Sequence, residues 1–447
     1  MAEDLLKKMR GEAEEIFKAS VRRVDPYGAI MKFVRLEGGK VELGAEVSVD
    51  LDLDAFDRVL VVGGGKATAP MARALEDLMG RRIDRGLINV KYGFSEPLSR
   101  MEIAEAGHPL PDEKGVTGTK KMLRLLEEAK EGDLVFSLIS GGGSALLPSP
   151  AGEITLAEKQ AVTKSLLECG ASIDEINTIR KHISSSKGGQ MARAAFPATT
   201  VNLMLSDVVG DRMDVIASGP FVPDSSTFKD AREILSKYRL SVAESVEEYL
   251  EKGSRGEVPE TPKEGDPVFR KVHNFVIGSN ILALEAAQKA AETLGYGCLI
   301  LSSMVEGETR DVAKVHTAIA KEILQTGRPL PPPACIISGG ETTVTIRGKG
   351  LGGRNQEFCL ASALELAGTP ERVVVLSGGT DGNDGPTSAA GAVVDPLTVK
   401  RGAALELRAL DFLNKNDSYH YFESTGELLV TGPTKTNVMD VRLVLVR

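Results

Sequence analysis

The 447-residue chain is 42% hydrophobic and 26% charged, which is ordinary for a soluble globular protein of two or three domains. Its formal net charge of −9, without any basic run, argues against a nucleic-acid-binding surface. No apolar run is long enough to span a membrane, and the N-terminal segment has the pattern of an amphipathic helix and not of a signal peptide. We therefore expect a cytoplasmic protein that binds neither nucleic acid nor membrane.

Strands and helices are predicted to alternate along the first half of the chain. The predicted strands are a β segment at Val41–Leu53 and strands at Val59–Val62, Leu87–Val90, Glu102–Ala104, Leu134–Ile139 and Thr200–Leu205. The predicted helices cover about Ala67–Met79 and begin at Glu113, at Thr155 and near Asp174. This alternation is typical of an α/β fold with a doubly wound parallel sheet and helices on both of its faces.

The segment Pro223–Gly265 is polar and acidic, and we interpret it as the boundary region between two domains. A second α/β unit is predicted to begin at His273–Ile277. Its further elements are predicted as helices from Asn280, across Asp311–Leu324 and from Asn355, strands at Cys298–Leu301, Cys335 and Val373, a β segment at Thr342–Ile346 and a β-rich tail. The predicted division is therefore an N-terminal domain of residues 1–240, a linker of 241–270 and a smaller C-terminal domain of 271–447 with a mixed sheet.

Four of the predicted strands end in a glycine pair that is followed by a polar or charged residue. They are VLVVGGGKAT at Val59–Thr68, the strand that leads into Ser140–Ser144, CIISGGETT at Cys335–Thr343 and VVVLSGGTDG at Val373–Gly382. Glycine lets backbone N–H groups approach an anion closely, and ligands of open α/β sheets bind beyond the carboxyl ends of the strands. We therefore expect the following residues to line an anion-binding cleft: Gly64, Gly65, Ser140, Gly141, Gly142, Gly143 and Ser144.

The common nucleotide signatures are absent from these turns. A Walker loop would need glycine at Leu60 and Ser or Thr at Ala67, and neither glycine turn of the first half has the third glycine of the dinucleotide fingerprint. This absence disfavours an enzyme that uses a nicotinamide cofactor.

Two cations stand where they could meet the anion. Lys66 follows three glycines at a strand end, and Arg354 follows the glycine loop Gly348–Gly353 just before a helix. Lysine supplies a mobile charge and arginine a planar fork for a carboxylate or a phosphoryl group. A solvated surface charge is the alternative for each residue, and we favour a functional role for both.

The run Asn177–Gly189 is also basic, since it contains Arg180, Lys181, His182 and Lys187 together with three serines. It suits an anion site or the solvated face of a helix, and for His182 alone we favour a structural role.

Aspartates occur after two of the strands. Asp207 lies at a strand end, with Asp211 and Asp214 in the loop that follows, and Asp381 and Asp384 lie in a second such loop. Carboxylates at strand ends suit a metal ion or a general base, while capping or turn-forming aspartates are the alternative. Asp207 is the favoured candidate because it lies closest to its strand.

Together these stretches resemble the class II glycerate kinases, whose C-terminal domain is the MOFRL domain. The resemblance covers essentially the whole chain. It rests on GGGKA at Gly63–Ala67, AGHPLPDE at Ala106–Glu113, SGGGSALL at Ser140–Leu147, RKHISSSKGG at Arg180–Gly189, SDVVGD at Ser206–Asp211, ASGP at Ala217–Pro220, GGETTV at Gly339–Val344, GGRNQE at Gly352–Glu357, GGTDGNDGPT at Gly378–Thr387 and TGPTKTNVMD at Thr431–Asp440. The departures, at Arg212, Lys435 and Met439, are small.

The resemblance implies ATP-dependent, Mg²⁺-requiring phosphorylation of D-glycerate, on the 2-hydroxyl to give 2-phosphoglycerate, in a cleft between a Rossmann-like domain and a C-terminal α/β domain. Lys66 and Arg354 match positions that this family is thought to use in catalysis, and Asp207 is our third catalytic candidate. Expected binding residues beyond the glycine turns are Lys187, Glu341, Asn355 and Asp381. Candidate metal ligands are Asp207, Asp211 and Asp381. A hydroxypyruvate reductase and a non-catalytic anion-binding protein of the same fold are the alternatives, and a homodimer is an open possibility.

Overall fold

The computed structural model describes residues 2–44 and 49–447, which form two compact units. The central unit is Pro26–Ile277, and the terminal unit combines Met1–Asp25 with Gly278–Arg447. This division differs from the predicted one, because the first helix groups with the C-terminal half of the chain and residues 241–277 belong to the central unit.

Within the described residues, strands and helices run as follows in chain order. The strands are β1 (Val34–Glu37), β2 (Lys40–Leu43), β3 (Val49–Asp52), β4 (Arg58–Gly64), β5 (Ile83–Lys91), β6 (Glu102–Ala106), β7 (Asp133–Ile139), β8 (Thr199–Leu205), β9 (Val272–Gly278), β10 (Gly297–Val305), β11 (Ala334–Gly340), β12 (Val373–Gly379), β13 (Gly391–Val394), β14 (Leu428–Leu429) and β15 (Asp440–Val446). The helices are α1 (Ala2–Arg23), α2 (Pro26–Phe33), α3 (Thr68–Met79), α4 (Glu113–Glu127), α5 (Gly143–Leu146), α6 (Leu156–Glu168), α7 (Ile173–His182), α8 (Gln190–Ala195), α9 (Phe228–Lys237), α10 (Glu244–Ser254), α11 (Asn280–Thr293), α12 (Thr309–Thr326), α13 (Arg354–Leu366), α14 (Thr398–Ala404), α15 (Ala409–Asn414) and α16 (Ser418–Thr425).

The main sheet of the central unit has the strand order β6-β5-β4-β7-β8-β9, with parallel pairing from β6 to β8. Alternate residues of β4 enter different cores: Val59 and Val61 pack with α3, while Leu60 and Val62 pack with α4 and α8. Helices therefore cover both faces, which explains why β4 and β7 are continuous apolar runs. The expected doubly wound parallel sheet is confirmed. Its order reverses between β4 and β7, where a ligand site is expected in such sheets.

A smaller antiparallel sheet, with the order β1-β2-β3, lies beside α2 and α3 in the central unit. It corresponds to the β segment predicted at Val41–Leu53, of which residues 45–48 lie outside the described residues.

The predicted linker 241–270 is partly a packed helix. Val246 and Leu250 of α10 are fully buried in one apolar cluster with Phe228 and Ala231 of α9 and residues of α6 and α7. The acidic composition that suggested a boundary belongs to the solvent face of α10, and its apolar stripe joins the central unit.

Strand β9, predicted to open the second domain, instead lies beside β8 in the sheet of the central unit. The backbone N–H of Thr200 donates to Lys271 O (2.8 Å), and the Asn202 side chain donates to Asn274 Oδ1 (2.8 Å). These polar contacts hold β9 at the edge of the sheet. The apolar pattern of a strand does not by itself reveal which sheet the strand joins.

The terminal unit contains a mixed sheet with the order β10-β11-β15-β12-β13-β14, in which β10 and β11 are parallel and the other neighbouring pairs are antiparallel. Helices α1 and α11 cover one face, and α12 and α13 cover the other. The stripe Met9, Ala13, Ile16 and Phe17 of α1 is fully buried there. The mixed sheet expected for this part of the chain is confirmed.

Two local predictions for this unit are wrong. Thr342–Ile346 forms no strand beyond an isolated bridge between Glu308 and Thr343, and Ile346 is 79% exposed, so the alternating Thr-Val-Thr-Ile pattern has no core to face. The tail predicted as β-rich contains α14, α15 and α16 between β13 and β14. Among the residues that the structure describes, no helix has the length and apolar composition that a membrane span requires.

Candidate functional site

The ends of β4 and β7 are tied together at the point where the strand order reverses. The backbone N–H of Lys66 donates to Gly141 O (2.8 Å), and that of Ser140 donates to Gly64 O (3.3 Å). Gly65 has φ +151°, and a Cβ there would lie 2.1 Å from Ser140 Oγ. Backbone hydrogen bonds therefore join the two glycine turns side by side.

The glycine turn that follows β7 has no side chains at Gly141 and Gly142, which leaves space for Asp207, His108 and Lys66. A Cβ on Gly141 would lie 2.2 Å from Asp207 Oδ2. A Cβ on Gly142, where φ is +83°, would lie 2.9 Å from the His108 ring and 3.2 Å from Lys66 Cγ. The structure thus brings Lys66 and Asp207 together, as the sequence predicted, and adds His108.

The electrostatics of this group favour anion binding. No hydrogen bond or ion pair is formed by the half-buried side chain of Lys66 within the described part of the chain. Burial raises the pKa of Asp207, and the positive charge of Lys66 partly offsets that rise. Burial, together with Lys66 and Lys91, lowers the pKa of His108 to about 4, so its imidazole is neutral at pH 7.

His108 was not singled out by the sequence analysis, although it lies within the quoted segment Ala106–Glu113. The signal was available, because that segment directly follows β6, another strand of the same parallel sheet. The carboxyl end of β6 has no glycine pair, so the pattern that identified the other turns did not identify His108.

Ser144 and Lys187 lie on the far side of the glycine turn. The Ser144 hydroxyl is 2.9 Å from Ser218 Oγ, and Lys187 Nζ donates to Ala217 O at 3.4 Å. A Cβ on Gly143 would lie 2.7 Å from Ala217 Cβ, so the segment that holds Lys187 packs directly against the turn. Burial, and secondarily the charge of Arg180, lowers the pKa of Lys187 to about 7.

His182 has the structural role that was favoured for it. Its Nδ1 contacts Thr178 O (2.8 Å), and its Nε2 contacts Glu260 Oε1 (2.9 Å). Its neighbour Lys181 is buried in an ion pair with Asp224 (3.2 Å). Both residues hold α7 in place.

The aspartates that follow Asp207 have other partners. Asp214 pairs with Arg212 (3.2 Å) and Lys181 (3.5 Å). Asp211 ends a short 3₁₀ turn, Val209–Asp211, with φ +54°. Asp211 stays a predicted metal ligand, while Asp214 is part of the support of α7.

In the terminal unit, Arg354 is the first residue of α13 and its fork is engaged. Nε and Nη2 donate to the two carboxylate oxygens of Asp440 (2.7 and 3.0 Å), and Nη1 lies 2.9 Å from Glu341 Oε1. Burial alone would lower the pKa of Arg354, but Asp440 and then Glu341 outweigh it and raise that pKa. Arg354 and Glu341 are therefore brought together as predicted, in an ion-pair network at the carboxyl ends of β11 and β12.

Asn355 and Asp384 also belong to this network. Asp384 Oδ1 accepts from the backbone N–H of Asn355 (3.0 Å), and its Oδ2 accepts from that of Gln356 (2.8 Å), so Asp384 satisfies the free N–H groups that begin α13. The Asn355 side chain donates to Asp440 Oδ1 (2.8 Å). Burial raises the pKa of Asp384 to about 7 despite these donors.

Asp381 forms the Asx turn that was left open as its alternative role, because its Oδ1 accepts from the backbone N–H of Asn383 (3.0 Å). Across the described ranges, no group of three or more His, Cys, Asp or Glu side chains could hold a metal ion by itself. Mg²⁺ commonly takes one or two protein carboxylates and completes its shell with phosphates and water. Asp207, beside an unpaired lysine, fits that limited role.

Comparison with known proteins agrees with this architecture. Residues 12–251 match the family described as a domain of unknown function (DUF4147), and residues 334–440 match the MOFRL family. The chain is 42% identical over 430 residues to a glycerate 2-kinase of Pyrococcus horikoshii, which covers 96% of this chain and 95% of that protein. A protein of Agrobacterium vitis with the provisional name hydroxypyruvate reductase is 44% identical over 393 residues, 87% of each chain.

The fold agrees as closely as the sequence. The crystal structure of the glycerate kinase of Thermotoga maritima superposes with a TM-score of 0.89 at 41% identity and covers 99% of this chain and 100% of that one. This similarity covers both units of the structure. It agrees with the family resemblance that the sequence motifs indicated. The chain therefore belongs to the glycerate 2-kinase family.

Proposed function

We propose that this protein transfers the γ-phosphoryl group of ATP to the 2-hydroxyl of D-glycerate, giving ADP and 2-phosphoglycerate. The observation that carries this proposal is the near-full-length similarity to a relative named for that activity. The geometry at the ends of β4 and β7 supports it, since an unpaired cation, a half-buried carboxylate and a glycine turn meet there. Phosphoryl transfer depends chiefly on positioning and on neutralising charge.

Lys66 supplies mobile positive charge to the phosphoryl oxygens. Its ammonium group is not held by a carboxylate among the described residues, so it is free to follow the phosphate during transfer. Its backbone is fixed by the hydrogen bond to Gly141 O. A fixed backbone with a free head group suits a residue that stabilises charge developing in the transition state.

Asp207 accepts the proton that leaves the 2-hydroxyl of glycerate. Its pKa is raised by burial, which makes the carboxylate a stronger base than an exposed aspartate, and the positive charge of Lys66 partly offsets that rise. His108 lines the same turn as a neutral imidazole and limits the space open to water there.

Mg²⁺ would be held mainly by the ATP phosphates, and Asp207 would be its protein ligand only if another group accepts the hydroxyl proton. When bound, it neutralises phosphate charge and orients the nucleotide. Asp211 and Asp381 stay candidate ligands.

Arg354 is proposed to act from the terminal unit on the nucleotide or the transferred group. Asp440 engages two of its N–H donors and Glu341 a third, and a guanidinium has five, so two are left for a ligand. The Asp440 and Glu341 contacts hold the fork in a defined orientation. The shared cleft between domains, the cytoplasmic location and the homodimer remain predictions.

The reductase alternative is weaker. The glycine turns lack the dinucleotide fingerprint, and the Agrobacterium vitis relative shows that this name occurs within the same family. We expect no oxidation of NADH or NADPH by hydroxypyruvate with the purified protein.

Phosphorus NMR of the reaction of ATP, Mg²⁺ and D-glycerate tests the proposal directly, because 2- and 3-phosphoglycerate give distinct signals. Addition of enolase should convert the product at once to phosphoenolpyruvate without a mutase. A product that needs a mutase would contradict transfer to the 2-hydroxyl. ATP consumption that is independent of glycerate, or a reductase rate that persists through purification, would contradict the kinase assignment.

A further inference from the structure

Three cationic side chains of the central unit cluster behind Ser144 without a carboxylate partner. We call Lys159, Arg180 and Lys187 the cation pocket. Lys159 Nζ donates to Ile183 O (3.1 Å), and Lys187 Nζ donates to Ala217 O (3.4 Å). Within the described residues no ion pair joins any of the three to an acidic side chain.

These three groups act on one another electrostatically. Burial and then the charges of Lys187 and Arg180 lower the pKa of Lys159 far below its usual value, and burial lowers that of Arg180. Lys159 is 6% and Lys187 1% exposed, whereas Arg180 is half-buried and so leaves an approach from solvent. Buried like charges without a counter-ion oppose folding, which is typical of a ligand site and not of a structural one.

The neighbouring residue on the same helix shows the contrast. Lys181 is also buried, but Asp224 and Asp214 lie 3.2 and 3.5 Å from its Nζ. The chain therefore provides carboxylates where a buried lysine supports α7, and it provides none for Arg180 one position earlier.

A buried amide points to the same ligand. Asn177 Nδ2 is buried and has no hydrogen-bond partner in the described part of the structure, while Asn177 Oδ1 accepts from Ser218 Oγ (3.0 Å). Asn177 and Arg180 are three residues apart on α7, so they lie on one face. Ser218 in turn contacts Ser144 (2.9 Å), which connects this face to the glycine turn.

We propose that Arg180, Lys187 and Asn177 bind the carboxylate of D-glycerate, with Lys159 behind them. This assignment rests on the proposed function and names the part of the site that selects the substrate. The carboxylate and the 2-hydroxyl of glycerate are on adjacent carbons. The anchor must therefore lie close to Lys66. Ser144 provides the connection, because it follows the glycine turn whose Gly141 O accepts from the Lys66 N–H.

A carboxylate suits this pocket better than a phosphate. The planar fork of Arg180 can hold either group bidentately, so the preference rests on charge. The lowered pKa values of the two lysines leave the empty pocket with less than three charges at pH 7, enough for a monoanion. An anion placed there should raise the pKa of Lys187, so binding should be accompanied by proton uptake at pH 7.5.

The test compares Arg180→Met, Lys187→Met and the matched control Lys181→Met in steady-state kinetics and thermal melts. Loss of a hydrogen bond to a charged group should raise KM for glycerate about ten- to a hundredfold in the first two variants. KM for ATP should stay within about threefold of wild type. Their melting temperatures should stay level or rise, because each removes a basic group that has no carboxylate partner, whereas Lys181→Met breaks an ion pair and should melt lower with unchanged KM.

Calorimetry of D-glycerate binding, in two buffers of different ionisation enthalpy, gives the proton uptake independently of turnover. Proton uptake on glycerate binding that occurs in the wild type but not in Lys187→Met would support the proposed carboxylate site. This result would hold even if the wild type phosphorylated another acceptor. Arg180→Gln serves as a second variant if Arg180→Met does not fold. A rise in KM for ATP instead of glycerate would assign the pocket to the nucleotide and overturn the proposal. Unchanged KM values with lowered melting temperatures would make the three cations structural and overturn it as well.

Discussion

Lys66 and Arg354 were predicted from the same kind of evidence, a cation beside a glycine loop, yet their surroundings differ. Lys66 has a fixed backbone and a side chain without a partner in the described residues, while Arg354 is held by Asp440 and Glu341. The Lys66 side chain therefore contributes little to the free energy of folding, whereas the Arg354 side chain contributes substantially. Substitutions of Lys66 and Arg354 should therefore differ in their effects on turnover and on stability.

We predict that Lys66→Ala lowers kcat about a hundred- to a thousandfold, since one preorganised electrostatic contact is lost, and leaves the melting temperature nearly unchanged. Arg354→Ala should lower both, because the fully buried Asp440 loses two charge-assisted hydrogen bonds, at a cost of about 1.5–3 kcal/mol, and keeps Arg442 (3.0 Å) as its remaining cation. Arg354→Lys should recover part of the stability but little of the turnover, as an ammonium cannot donate bidentately. Steady-state kinetics and thermal melts measure both quantities.

The exposed Lys121→Ala is the control for a surface lysine, and it should change neither quantity. Turnover within a few-fold of wild type in Lys66→Ala would remove that residue from the mechanism. A normal melting temperature in Arg354→Ala would show that the Asp440 contact carries no stability.

At the scale of elements, the turn between β7 and α5 is expected to tolerate no side chain at Gly142. Gly142→Ala should lose most activity, because its Cβ would displace His108 and the Lys66 stem from the site. Gly93→Ala is the matched control: Gly93 has a similar φ of +76°, and a Cβ there would meet nothing within 4 Å. Both substitutions should cost about 1 kcal/mol of stability from left-handed backbone strain.

Activity and melting temperature of the two variants separate strain from contact. Comparable losses of activity in both would mean that backbone strain is responsible. Full activity in Gly142→Ala would show that His108 and Lys66 can move without harm, and that the turn is not part of the site.

The same elements show what could be predicted from sequence. Strands β4, β7, β11 and β12 were found because a strand buried on both faces is a continuous apolar run, and the glycine end of β4 located Lys66. Asp207 was located by its position at the end of β8. The missing partners of Arg180 could not be predicted, since whether a carboxylate faces it depends on α6 and on the segment around Ala217. Asp384 likewise serves a helix that begins far from it in sequence, and only the fold brings them together.

At the scale of the whole molecule, the chain begins in the terminal unit, forms the central unit and then returns. The helix α1 has an apolar stripe that could cover any sheet, so its sequence does not reveal which unit it joins. In the structure Phe17 packs over β12, where its ring lies 2.8 Å from a Cβ built on Gly378. A short distance along the chain, Ile30 of α2 is fully buried in the core of the central unit.

We therefore predict that Phe17→Ala and Ile30→Ala destabilise different units. Phe17→Ala should cost about 3–5 kcal/mol and Ile30→Ala about 2–5 kcal/mol, because each leaves a cavity in a packed core. Hydrogen exchange followed by mass spectrometry should show faster exchange in residues 280–446 for Phe17→Ala and in residues 26–277 for Ile30→Ala. Leu5→Ala, at a partly buried position on α1, should give a weaker version of the first pattern. If Phe17→Ala instead loosened the central unit, α1 would belong with residues 26–277, as the sequence-based division proposed.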